Sequence, residues 1–302
     1  MNLRDLHYFV TLADAMHFGE TAKRCHVSQP TLSMQIKKLE EELGVVLFER
    51  QHKQVMLTEA GKALLSRAQG ILTEVSEMKE LARQFSNPYM GELRLGAIPT
   101  VAPYLFPHIM RPVQKAFPKL RVWLVEEKTE QLAEKLAKGQ LDAAIMATPV
   151  AGYFAHEELF EEPFYFVCAP NAQGGKKQMS VQDLADEHVM LLEEGHCLRE
   201  QAMAICKMAK GKPRADFTAT SLETLRFMVQ AGMGVTLLPA LSLYGNQQGL
   251  EIIPFTSPVP TRSIALFWRP GTAKVNFLES LAALIRSEMK KVLNKNTLLL
   301  QT

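Results

Sequence analysis

The feature that most constrains this chain is a helix near the N-terminus with both of its ends written into the sequence. Ser28-Gln29-Pro30 is a start signal: Ser28 can cap, and Pro30 falls in the first turn, where its missing N–H costs no hydrogen bond. Gly44 is the stop. Between them Leu32, Ile36, Leu39 and Leu43 recur at helical spacing and predict one buried stripe over residues 29–43. Thr31, Ser33, Gln35, Lys37 and Lys38 fall on the other side. Two shorter helices precede it. One is built on Leu6, Phe9, Val10 and Ala13; the other runs from about Gly19 to Cys25, with Ala22 and Cys25 available to its buried face.

After Gly44, the β-prone runs Val45–Phe48 and Val55–Leu57 flank a polar stretch and predict a hairpin wing. Thr58 then caps a long helix in which Leu64, Leu65, Ala68, Ile71, Leu72, Val75, Met78 and Leu81 keep a heptad-like spacing. So long a helix with so narrow a seam is expected to pair with a copy of itself. A linker follows at Asn87-Pro88. From Gly91 onward, strands and helices alternate, with strands expected at 93–98, 121–125, 143–146, 164–169, 189–192, 234–238 and 264–268. Such alternation predicts a doubly wound α/β architecture.

Composition narrows the function classes. No apolar run approaches the roughly 20 residues that a membrane helix needs, and the start lacks an apolar signal core, so a cytoplasmic chain with no membrane partner is expected. The formal net charge of +2 says little by itself. Its distribution says more: Lys23, Arg24, Lys37 and Lys38 have no acid between them, and Glu40, Glu41 and Glu42 follow at once. A basic face bordered by an acidic one suits oriented contact with phosphates. The four cysteines, Cys25, Cys168, Cys197 and Cys206, are too few for a disulfide framework and show no zinc spacing. Neither a metal nor a cofactor is expected. Cys25 and Cys168 read as core residues, and the pair Cys197/Cys206 as either packing or redox chemistry.

A helix presenting short hydrogen-bonding side chains beside lysines is what the major groove of double-stranded DNA admits. On this reading Ser28, Gln29, Pro30, Thr31, Ser33 and Gln35 form the contact face. Lys37, Lys38 and the wing residues Arg50 and Lys53 neutralise phosphates. Spacing alone leaves an ordinary three-helix bundle with a polar face as an equal reading. The runs Leu3–Phe9, Ala22–Ser33, Ile36–Gly44, Phe48-Glu49-Arg50 and Leu57–Gly61 decide it, because in that order they resemble the LysR-type transcription regulators. The resemblance implies promoter DNA as a partner, contact with RNA polymerase, and a homodimer or homotetramer joined partly through the linker helix. It also implies a regulatory domain of two Rossmann-like halves similar to periplasmic binding proteins. The expected division is a winged helix-turn-helix at 1–60, a linker helix at 61–88 and a regulatory domain at 91–302. Half I would comprise 91–163 and 269–302, and half II 164–268, with crossings near Pro163 and Trp268.

Within the regulatory domain, Glu194-Gly195-His196-Cys197-Leu198-Arg199-Glu200-Gln201-Ala202 followed by Cys206 resembles the peroxide-sensing members of that family. The resemblance implies hydrogen peroxide as effector and a reversible Cys197–Cys206 disulfide. It places Thr100, Thr129, Gly195 and His196 around the peroxide, with Arg199 and Glu200 beside them. Glu200 stands where the family pattern generally has Asp, which puts one hydrogen bond there in question. The local chemistry agrees: a thiol opening a helix beside His196 and Arg199 has its thiolate favoured, while Glu193, Glu194 and Glu200 oppose this. Spacing alone leaves two packing cysteines as the commoner reading. Arg262 and Arg269 flank an expected hinge strand, where a state-holding role and a structural one are equally open. Two further classes remain at this level. A LysR-type regulator that binds a small metabolite between its halves would use an overlapping site around Thr100. An enzyme or solute-binding protein would share the α/β fold but not the N-terminal module, and no catalytic triad or phosphate loop is present.

Overall fold

The structure, a computed structural model, describes residues 1–51, 54–86, 91–210 and 212–300. The linker predicted at Asn87-Pro88 and the wing residue Lys53 lie outside them. The chain divides into two compact units, Met1–Ser86 and Asn87–Thr302.

The first unit holds α1 (Leu3–Ala15), α2 (Phe18–Arg24), α3 (Gln29–Leu43), an antiparallel hairpin of β1 (Phe48–Gln51) and β2 (Gln54–Leu57), and α4 (Glu59–Ser86). The helix ends form as their residues dictate. Asn2 and Asp5 make a reciprocal capping box on α1, and Gly44 closes α3 in the left-handed conformation. Leu32, Ile36 and Leu39 are buried against Leu6, Phe9 and Leu12 of α1, each contributing roughly 1.5–3 kcal/mol of burial. Phe9 meets Phe48 edge to face at 5.6 Å. The wing starts later than its sequence suggests. Val45 and Val46 are exposed ahead of β1, and the Glu40 carboxylate accepts the Leu47 and Phe48 amides at 2.8 and 3.1 Å. The Thr58 hydroxyl donates to the Val46 carbonyl and accepts from the Gly61 amide. A Cβ at Gly61 would lie 2.3 Å from the Leu47 carbonyl oxygen, so only glycine lets α4 approach this closely.

The second unit carries a seven-stranded sheet in the order β10-β6-β11-β5-β3-β4, with β9 also pairing β6. Its strands are β3 (Gly91–Ala97), β4 (Leu120–Glu126), β5 (Ala143–Ala147), β6 (Ala155–Cys168), β9 (Thr236–Pro239), β10 (Glu251–Pro254) and β11 (Thr261–Trp268). The parallel strands β3, β4 and β5 are linked through α5 (Ala102–Ala116) and α6 (Thr129–Ala137). A separate parallel pair, β7 (His188–Leu192) and β8 (Lys212–Ala219), lies with α7 (Cys197–Met208) and α8 (Leu222–Gln230). The short α9 (Ala240–Leu243) follows β9, and α10 (Val275–Leu300) ends the chain.

Two apolar cores mark two halves. One gathers β3, β5, α5, α6, β11 and α10; the other gathers the end of β6 with β7, α7, α8 and β9. The strand β6 belongs to both, pairing β11 through Pro163 and then β9 and β10 from Phe164 onward. The first crossing therefore falls at Pro163. The return lies ahead of Thr261 rather than near Trp268, because all of β11 pairs with β6 or β5 and buries Ile264–Trp268 in the first core. Half II thus ends before β11, where the sequence reading carried it to residue 268.

Candidate functional site

In the first unit the polar side of α3 is where its sequence places it. The Ser28 hydroxyl accepts the Thr31 amide at 3.3 Å and touches the Thr31 hydroxyl at 2.7 Å, so its part is to start the helix. Gln29, Pro30, Lys37 and Lys38 are exposed, and Thr31, Ser33 and Gln35 are half-buried. Lys37 sits 3.6 Å from Glu41 in a largely exposed pair, of a kind that contributes little to stability. Lys23 is exposed, whereas Arg24 is turned onto Asp14 and Glu20. Arg50 lies in β1.

In the second unit α7 begins at Cys197, with His196 at its N-cap. The two thiols on this helix face different cores. Cys197 is half-buried against the core of the first half, whereas Cys206 is buried in the core of the second. Burial pushes the Cys206 thiol up to about 11. Cys168, buried beside Glu251, is pushed up to about 12 by burial and by that carboxylate. Cys25 is half-buried at the end of α2.

Three side chains in α6, in α7 and at its N-cap carry buried polar atoms without a partner among the described residues. Neither ring nitrogen of His196 completes a hydrogen bond of good geometry among the described residues, although Glu193 approaches to 3.8 Å. The Thr129 hydroxyl and the Gln201 carbonyl oxygen are likewise unpaired. Buried polar groups are nearly always satisfied, so each of these atoms has capacity to bond a small polar molecule that reaches it. Burial, helped by the Lys128 charge, lowers the His196 pKa against the pull of Glu193 and the Thr220 backbone. The imidazole is therefore neutral near pH 7. Arg199 spends its guanidinium on the Leu192 carbonyl at 2.7 Å, and Glu200 is exposed.

Thr100 is buried, and its hydroxyl accepts from Arg262 at 3.2 Å, leaving its own proton free to donate elsewhere. Arg262 is fully buried with Glu162, whose other oxygen accepts the Leu241 amide at 2.7 Å. Arg269 instead holds the Leu136 and Leu141 carbonyls of the first half. Glu162 escaped the sequence reading, since Glu161-Glu162 lies ahead of the expected strand and reads as solvated. Two bonds across the halves escaped it as well: the Tyr104 hydroxyl donates to Glu223 at 2.8 Å, and Lys128 donates to Glu193 at 2.5 Å. No local pattern signals either, because the partners are separated by 119 and 65 residues.

Comparison with known proteins assigns both units. Residues 3–62 match the family described as bacterial regulatory helix-turn-helix protein, lysR family, and residues 86–290 match the LysR substrate binding domain. The chain belongs to the LysR-type regulators. These are DNA-binding transcription regulators rather than enzymes, and they bind promoter DNA and oligomerise. The DNA-binding transcriptional dual regulator OxyR of Escherichia coli (strain K12) is 45% identical over 293 residues, covering 96% of each chain. A full-length OxyR variant from Pseudomonas aeruginosa is 38% identical with a TM-score of 0.79, covering 95% of each chain. An OxyR mutant from Corynebacterium glutamicum with hydrogen peroxide bound is 31% identical with a TM-score of 0.68, covering 98% of this chain and 95% of that one. The LysR-type assignment thus extends over both units, the winged helix-turn-helix and the α/β regulatory domain.

Proposed function

We propose that this LysR-type regulator senses hydrogen peroxide through Cys197 and Cys206 and converts the reaction into a change in how its copies sit on promoter DNA. The observation that carries the reading is the placing of α7, with one thiol at its first turn beside unpaired buried polar groups and the other deep in the opposite core. The OxyR relatives above support it.

In the first step the Cys197 thiolate attacks one peroxide oxygen. An S–O bond forms, the O–O bond breaks, and the second oxygen takes a proton and leaves as water. The sulfur is oxidised to a sulfenic acid. Thr100, Thr129, Gly195 and His196 surround the peroxide in this scheme. The hydroxyls orient it, and neutral His196 hydrogen-bonds without adding charge. Arg199 braces the turn through Leu192, and Glu200 borders the site. In the second step the Cys206 sulfur attacks that of Cys197, an S–S bond forms and a second water leaves. Nine residues of helix hold the two Cα atoms about 13 Å apart on opposite faces, whereas a disulfide needs about 7 Å or less. The helix must therefore open before the bond can close. That gives one element with two incompatible states.

In the first unit, Gln29, Pro30, Thr31, Ser33 and Gln35 of α3, started by its cap Ser28, face the major groove, with Lys37, Lys38, Arg50 and Lys53 on phosphates. The exposed Ile71, Met78 and Leu81 of α4 form the seam through which copies pair. A homotetramer, contact with RNA polymerase and a cytoplasmic location complete the reading. Footprinting on promoter DNA tests it. Peroxide alone, with no added metabolite, is expected to change the protected region, and Cys197→Ser to abolish the change while Cys25→Ser keeps it. A footprint indifferent to peroxide that shifts with a small metabolite would replace this reading by a ligand-driven one.

A further inference from the structure

Lys128 breaks two local rules at once. It occupies the N-cap of α6, where a side-chain acceptor is preferred and a cation meets the positive end of the helix dipole. It makes no capping hydrogen bond. Its ammonium crosses instead to the second half, donating to the Glu193 carboxylate at 2.5 Å and to the Glu194 carbonyl at 3.0 Å. Its stem lies along the turn at Gly195, which has φ +87°; a Cβ there would come within 3.1 Å of the Lys128 Cδ. A residue that violates local preference without local compensation is commonly kept for a function.

The candidate sensing site lies on both sides of this contact. The residue after Lys128 is Thr129, with its unpaired buried hydroxyl; the residues after Glu194 are Gly195, His196 and Cys197. One side chain therefore links the backbone that presents Thr129 to the turn that presents Cys197. We propose that Lys128 is a positioning residue for peroxide reduction, forming with Glu193 a strap between the halves that holds Cys197 in register with Thr129. The inference rests on the peroxide reading above and deepens it. Attack on the O–O bond requires sulfur and hydroxyl to be aligned closely, so slack between the halves lowers the rate without touching a reacting atom. The strap is partly solvated, with side-chain exposures of 29% and 38%, so salt weakens it.

The test isolates the first step in full-length protein carrying Cys206→Ser, with sulfenic acid at Cys197 followed in time under excess peroxide. Lys128→Met is expected to slow it about fivefold, in line with the upper range for a partly exposed ion pair. Lys128→Arg keeps the parent rate. Glu193→Gln slows it as much as Lys128→Met, and the two together slow it no further, as for residues acting as one pair. Raising salt to about 0.5 M slows the parent more than Lys128→Met. Thermal melts check that each variant is folded. A parent rate in Lys128→Met overturns the strap, as does a loss that Lys128→Arg shares and salt leaves unchanged. Absence of any oxidation at Cys197 in the parent overturns the underlying peroxide reading instead.

Discussion

Residues of one type do different work here because their surroundings differ. Cys206, pushed up to about 11 by burial, is a protonated thiol at neutral pH for as long as α7 stays folded into its core. Cys168 is held as firmly. Alkylation of the reduced native protein at pH 7.5 is therefore expected to leave both unlabelled and to label them only on unfolding. Labelling of Cys206 at its unfolded rate would contradict that. His196 sets a pH dependence of stated sign. Its folded pKa is depressed below the unfolded value of about 6.5, so its contribution to stability is complete above that pH. As pH falls from about 6.5 toward the folded value, the unfolded state takes up the proton first and stability is lost. The melting temperature should fall over this range, and His196→Asn should make the fall shallower; identical slopes would show that the imidazole is not held neutral.

At the scale of elements, α3 is legible in the sequence because everything that makes it is local. Ser28 caps it, Pro30 starts it, Gly44 stops it, and the stripe between repeats every turn. Ser28→Ala should cost about 1 kcal/mol of stability, measured by thermal or urea denaturation of the full chain. Gly61→Ala should cost about 1–3 kcal/mol, since its methyl would press on the Leu47 carbonyl and separate wing from linker helix; a neutral result would show that α4 can shift freely. The strand β6 shows what local patterns miss. Its first part alternates in burial and its second is wholly buried, because its neighbours change from β11 to β9 and β10 partway along. Only the latter part, near Phe164–Ala169, was visible as a strand. Likewise β8 and β10 were unforeseen, since Lys212–Ala219 reads as a polar stretch with a proline and β10 has only four residues. In the candidate site the thiol helix was legible from Gly195-His196-Cys197, although His196 at its N-cap makes no side-chain capping bond. Glu162, Lys128 and Glu223 were not, because their partners come from distant segments and only the fold brings them together.

The whole molecule joins a DNA-binding unit to a regulatory unit whose two cores share one strand. With the exposed lysines of α3 on phosphates, as proposed, binding is salt-dependent, and Lys37→Ala should reduce the slope of log affinity against log salt by about 1 while weakening different operators alike. An effect confined to one operator would place Lys37 on a base instead. The central claim is that α7 is a switch with a helical reduced state and a disulfide-bridged oxidised one. The most direct test is peptide mass mapping of the full-length, DNA-bound protein after brief treatment with hydrogen peroxide. A single cross-linked pair joining Cys197 to Cys206 is expected, with Cys25 and Cys168 still free, formed in step with the change in footprint. A changed footprint with both Cys197 and Cys206 still present as thiols would contradict it.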